Sequence, residues 1–191
     1  MARNKEFDEE VVLRKALELF LEKGYEKSSI QDLVACMGIH RRSIYDTFGD
    51  KHTLFINVLE KYQKLWRAKV NSTINNENSV KEAIRKIFEI GISKSDFNTY
   101  GCMIVNTAVE LGLHDEESNQ KVRDSYSNTE KLFHELILSG QKTGEISMEE
   151  NAEQLSQYLL NSFIGIRVLV KSENNNEKLN NIIDMTLSCI S

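Results

Sequence analysis

Proline is absent from all 191 residues. Strand edges and sheet turns draw on it, so its absence leans the chain toward helices punctuated by glycine and polar caps. Cysteine is scarce: Cys36, Cys102 and Cys189 form an odd set without CxxC spacing, which argues against a disulfide framework and against a zinc knuckle. Four histidines (His40, His52, His114 and His134) show no HExxH or other ligand spacing, so surface or capping roles are expected and no metal is. No cationic-then-apolar leader opens the sequence, and no apolar run approaches the roughly 20 residues of a membrane span. A cytoplasmic protein without a membrane partner is therefore expected. Nucleophile–base arrangements, phosphate loops and metal clusters are also missing, so neither an enzyme nor a cofactor is expected.

Positive charge is short overall, with 24 Lys/Arg against 29 Asp/Glu, but it is unevenly spread. Residues 1–70 carry 13 against 11, and the remainder 11 against 18. A near-neutral head on an acidic body is compatible with nucleic-acid binding through a small focused patch.

Helical periodicity is almost continuous. Leu13, Ala16, Leu17 and Phe20 share one face after the acidic start Asp8, Glu9 and Glu10, and Gly24 ends that helix. Ser28 as N-cap with Gln31 three residues on offers a capping box for a helix bearing Ile30, Leu33, Val34 and Met37. Gly38 suits a tight turn before a third helix from about His40 to Thr47. A long fourth helix follows Gly49-Asp50, with Leu54, Phe55, Val58, Leu59, Tyr62, Leu65, Trp66 and Val70 in a stripe. The polar stretch Asn71 to Ser79 reads as a corner. Further helices are expected over Val80 to Phe88, Cys102 to Leu113, Glu116 to Gln141, Met148 to Lys171 and about Leu179 to Ile190. The fold class is all-α, with about nine helices and no convincing strand.

Between Tyr158 and Val170 apolar residues go round the whole helix. Such a helix needs cover on every side. It is either a central core helix or one packed between its own core and a second subunit; on the second reading Leu159, Phe163, Ile166, Val170 and, on the last helix, Ile183 form a dimer interface.

The strongest signal is residues 24–55, GYEKSSIQDLVACMGIHRRSIYDTFGDKHTLF. A helix ending in Gly24-Tyr25, a Ser pair, a short apolar helix, a Gly-hydrophobic turn, a basic helix ending Tyr-x-x-Phe and a Lys opening the next helix follow one another. Ser28 and Ser29 stand at a helix start, where free N–H groups and hydroxyls suit a phosphate oxygen. His40, Arg41 and Arg42 occupy the first turn of the third helix, the part of a recognition helix that reaches base edges. An arginine there can pair bidentately with guanine. Ile44 and Phe48 read as core.

This segment resembles the DNA-binding head of the TetR/AcrR family of bacterial regulators. The resemblance implies a helix-turn-helix head over 1–50 and a helical effector-binding and dimerisation domain over 51–191, whose residues 51–70 form the linking helix. It implies double-stranded operator DNA as partner, read by His40, Arg41 and Arg42 with Ser43 beside them, and gripped at phosphates by Tyr45 and Lys51. The family often has Ser or Thr where His40 stands and Gly where Arg42 stands; His40 is the weaker N-cap and can face DNA instead. A homodimer on an inverted repeat is expected, in the bacterial cytoplasm and associated with the nucleoid.

The resemblance places a small-molecule cavity among the middle helices. Cys102, Asn106, Val109 and Glu110 share roughly one helical face. Asn106 and Glu110 could bond a ligand, or satisfy each other or a helix end. Phe88, Ile92, Tyr126 and Phe133 are cavity wall or core. The leading expectation is a repressor released by a ligand. Two others stand beside it: a redox or electrophile sensor switched at Cys102, and an architectural DNA binder that needs no effector.

Overall fold

In the computed structural model, residues 7–75, 77–93 and 101–190 are described. Among them are α1 (Glu9–Lys23), α2 (Ile30–Met37), α3 (Arg41–Phe48), α4 (Lys51–Ile74), α5 (Val80–Ile92), α6 (Met103–Leu111), α7 (Glu116–Thr143), α8 (Ala152–Leu169) and α9 (Asn176–Ser188), and no strand.

Polar side chains start most of these helices. Asp8, Asp50 and Asp115 accept from the first free amides of α1, α4 and α7, and Asn151 and Asn175 do so for α8 and α9. The capping box before α2 is shifted by one residue from expectation. Ser29 is the N-cap, paired with Asp32, whereas the Ser28 hydroxyl donates to the Gly24 carbonyl at 2.6 Å and is buried. The Gly24 carbonyl just past the end of α1 has claimed it. Two bounds also move: α4 runs on through Asn71 to Ile74, and α8 starts only after the Asn151 cap, leaving Met148 in an exposed turn.

Two buried clusters form. The first joins α1–α3 with the first half of α4 and with Cys102, Met103, Ile104, Val105 and Leu111 of the α6 region. The second packs α5, α7, α8 and α9 around Phe88, Phe133, Leu159 and Phe163. The division expected at residues 50/51 therefore does not coincide with the division of the cores. α8 lies in the middle of the second cluster, and Gly91 on α5 makes room for it: a Cβ there would stand 2.6 Å from Phe163 Cε2.

This corrects the expected dimer interface. Leu159, Phe163, Ile166, Val170 and Ile183 are all buried within the protomer, against α5, α7 and each other. They are spent on the chain's own core. The large apolar residues that α8 and α9 leave exposed are Tyr158, Val168, Leu169 and Met185.

A carboxylate holds α5 from a distance. Glu145, in the turn after α7, accepts from the Ser79 hydroxyl (2.5 Å) and the amides of Val80 (2.7 Å) and Lys81 (2.8 Å). Partial burial works to raise its pKa, but these bonds outweigh that and hold it below the usual range. A depressed pKa contributes stability above the unfolded-state value of about 4.3 and loses it as pH falls through the native value. Replacing Glu145 with Ala is thus expected to cost about 1 kcal/mol near neutrality, the usual worth of a cap. The deficit should shrink below about pH 4, as urea unfolding at several pH values will show.

Candidate nucleic-acid interface

The Gly38 turn, in the left-handed conformation at φ 71°, sets α3 across the end of α2. Ile44 and Phe48 turn inward, fully buried on the first cluster. Their burial forces His40, Arg41, Arg42 and Tyr45 to the outside, where all four are exposed; Ser43 is half-buried. Among the described residues the His40 side chain makes no capping bond, so its ring is not consumed by its own helix.

The basic side chains are lightly held. The Arg41 guanidinium lies 5.6 Å from the centroid of the Tyr45 ring, and its Nη2 donates to the Tyr45 hydroxyl at 3.4 Å. Arg42 pairs with Asp46 one turn on at 3.4 Å, with both side chains largely in water. Exposed pairs of this kind contribute about 0–1 kcal/mol, so either arginine can exchange its partner for a base or phosphate at little cost. Lys51, at the first position of α4, rests its ammonium 4.1 Å from the centre of the Tyr25 ring.

The serine pair divides. Ser28 is buried and its hydroxyl engaged, so it is withdrawn from the expected phosphate set. Ser29 is exposed, but its hydroxyl exchanges hydrogen bonds with Asp32, which also pairs with Lys23 at 2.8 Å. The Lys23 bond and then the Ser29 bonds hold the Asp32 carboxyl well below the usual carboxylate range. Of the residues expected to meet DNA, Ser29, His40, Arg41, Arg42 and Tyr45 are exposed and Lys51 is half-buried.

Between the two clusters lies a narrow cavity of about 20 Å³. Of the residues expected to line it, Cys102 and Tyr126 do. Phe88 and Phe133 stand behind Phe163, with ring centroids 5.3 and 6.1 Å from it, as core. Ile92 packs on the second cluster. Asn106 accepts from Lys171 Nζ at 2.9 Å, and Glu110 is bonded to the backbone after α1. Neither lines the space, to which α6 presents Ile104 and Val105 instead.

Other residues that line it, Tyr62, Trp66 and Arg167 among them, were not expected there. Arg167 of α8 is buried with its guanidinium 4.3 Å from the Trp66 ring centroid, and Nη2 donates to the Tyr62 hydroxyl at 2.5 Å. Burial pushes the phenols up, Tyr126 to about 12, so both tyrosines are neutral and Arg167 remains cationic. One signal was available: a lone arginine inside an all-apolar helix must be matched by polar or aromatic neighbours.

Known proteins share both halves of this arrangement. Residues 12–58 match the family described as bacterial regulatory proteins, tetR family, and residues 81–186 match the tetracyclin repressor-like C-terminal domain. The HTH-type transcriptional regulator YezE of Bacillus subtilis (strain 168) is 35% identical over 193 residues, covering 100% of both chains. The HTH-type transcriptional repressor ComR of Escherichia coli (strain K12) is 27% identical, covering 97% of this chain and 90% of that one. Among solved structures, a cysteine mutant of the TetR family transcriptional regulator CifR, complexed with 26bp double-strand operator DNA, superposes with TM-score 0.88. It covers 100% of both chains at 21% identity, a likeness of fold.

Base readers and phosphate grips fail differently when removed. With Arg41 at a base edge, Arg41→Ala should cost roughly 1–3 kcal/mol on the operator and much less on scrambled DNA. With Lys51 at a phosphate, Lys51→Ala should weaken both duplexes alike and flatten the salt dependence by about one unit for each phosphate no longer neutralised. Titration of both duplexes at several salt concentrations reads the difference; the reverse pattern would mean that α3 docks otherwise.

Proposed function

The chain belongs to the tetR family of bacterial regulatory proteins and is a DNA-binding transcriptional regulator; on that premise we propose a homodimeric repressor, released from an inverted-repeat operator by a small molecule. The observation that carries this reading is the position of α4. Its first residue, Lys51, stands at the DNA face, while Tyr62, Gln63 and Trp66 further along it line the space between the clusters. Eleven to fifteen residues of one helix, about 16 to 22 Å, separate the two. A ligand that wedges α4 from α7 and α8 has a direct lever on the head, provided that it prefers the wedged state. That ComR is named a repressor supports the sign of the effect.

Support for the dimer comes from the outer face of α8 and α9. Tyr158, Leu169 and Met185 are 40%, 39% and 68% exposed, and Gly165 between them has nothing within 4 Å of where a Cβ would stand. This face, with apolar side chains and a glycine set among polar ones such as Asn161 and Asn181, suits the close approach of a second copy. It takes over the role first expected of the buried residues of the same helices. Since Tyr158 and Met185 make little of the protomer's core, Tyr158→Glu with Met185→Glu should leave a folded monomer that binds operator at least tenfold more weakly, because the two half-sites are no longer engaged together. Light scattering and an operator titration check this. A parent that is itself a monomer at working concentrations rejects the dimer.

A second reading has one observation in its favour. Cys102 caps α6, with its Sγ accepting from the Val105 amide at 3.4 Å, and it lines the same space as Arg167. An electrophile that enters there has the sulfur within the lining. The two readings separate in one experiment on a labelled operator. Ser125→Phe, which fills the space, should keep operator binding and lose release by small molecules. Cys102→Ser should keep that release and lose only a response to peroxide or electrophiles. Release that survives both substitutions places the switch elsewhere.

A further inference from the structure

Glu110 sits in the last turn of α6, the wrong end of a helix for a negative charge. Two hydrogen bonds account for it. Oε2 accepts from the Tyr25 amide at 3.0 Å and Oε1 from the Glu26 amide at 2.9 Å, both in the turn that follows α1. Consecutive amides facing one carboxylate form a small anion seat, and bonds to a charged acceptor are the strong kind. Gly24 shapes that seat: its φ is +80°, and a Cβ on it would stand 2.9 Å from both carboxylate oxygens.

What the seat holds bears on DNA. The Tyr25 ring, on the residue whose amide Glu110 grips, packs against Phe55 of α4 with centroids 4.8 Å apart and carries the Lys51 ammonium on its face. His52, next in sequence, meets the edge of the same ring and bonds to Asp115 at 2.9 Å. Glu110 is itself anchored. Its helix packs chiefly on α7, and Asn106 on that helix is tied to Lys171 beyond α8. The carboxylate therefore joins a helix braced by the body to the backbone of the DNA-reading head.

We propose that Glu110 is a positioning residue for operator binding, which through the Tyr25 and Glu26 amides fixes the angle of the head on the body and so the distance between the two heads of a dimer. The two-headed geometry rests on the homodimer proposed above; the tether does not. A residue that only stabilises the fold would weaken every duplex alike. A residue that sets the angle governs tolerance to half-site spacing.

The test uses the full-length protein with its operator and with the same duplex carrying one base pair inserted between the half-sites. The parent should discriminate strongly between them. Glu110→Ala removes both bonds and should reduce that ratio at least about tenfold, the factor for loss of a single strong hydrogen bond. Glu110→Gln keeps the volume but sets an N–H against an N–H, so it should behave like Ala, which a packing role does not predict. The glutamine variant also carries the test if the alanine variant folds poorly. In both, hydrogen exchange at the Tyr25 and Glu26 amides should accelerate while α2 and α3 keep their protection. An unchanged spacing ratio, or unchanged exchange at those two amides, overturns the proposal. A parent indifferent to spacing overturns the two-headed geometry instead, and exchange then decides the inference alone.

Discussion

Three short helices have too little apolar surface to close a core of their own, and small units generally need help from outside themselves. In this chain the help comes from the first half of α4 and from α6, whose Met103, Ile104 and Val105 are buried in one cluster with Leu17, Phe20, Leu33 and Ile44. The DNA-reading head is thus completed by pieces of the regulatory body. Ile44 and Phe48 can be buried only on a surface that includes α4, and their burial presents Arg41, Arg42 and Tyr45 outward. The orientation of the reading helix depends on that shared core.

The second consequence concerns α8. A helix apolar on every side has three claims on it here: Leu159, Phe163 and Ile166 go to the inner core, Leu160 and Ile164 face the space between the clusters, and Tyr158 and Leu169 stay outside. Arg167 is the polar exception. It is stabilised by the Trp66 and Phe163 rings and by Tyr62. Burying a cation in this way is costly unless its surroundings compensate, and it places a fixed cationic group in the wall of the space that α4 also lines.

The helices and the head were legible in sequence because both depend on local order. Periodicity at 3.6 residues, Gly24 and Gly38 as interruptions and Gly49-Asp50 ahead of the long fourth helix act over four or five residues, and most bounds agree with the structure. The misjudged capping box shows the limit. Ser28 and Ser29 are equivalent by pattern, and the choice fell to Ser29 because the Gly24 carbonyl took the Ser28 hydroxyl.

Along the helices beyond the head the pattern says that a residue is apolar, not which neighbour covers it. Phe163 and Tyr158 are alike in composition, yet one touches Phe88, Phe133 and Trp66 and the other faces outward. Asn106 and Glu110 share a face and suggested a ligand; their partners are Lys171, 65 residues away, and the amides of Tyr25 and Glu26, 85 and 84 residues back. The sequence by itself determined an all-helical chain, the position of the helix-turn-helix and the residues that α3 turns outward, since each follows from interactions within a turn or two of helix. Only the tertiary structure decided which face of α8 is core, where the cavity lies and what Glu110 holds, because those depend on pairings across scores of residues that no local pattern encodes.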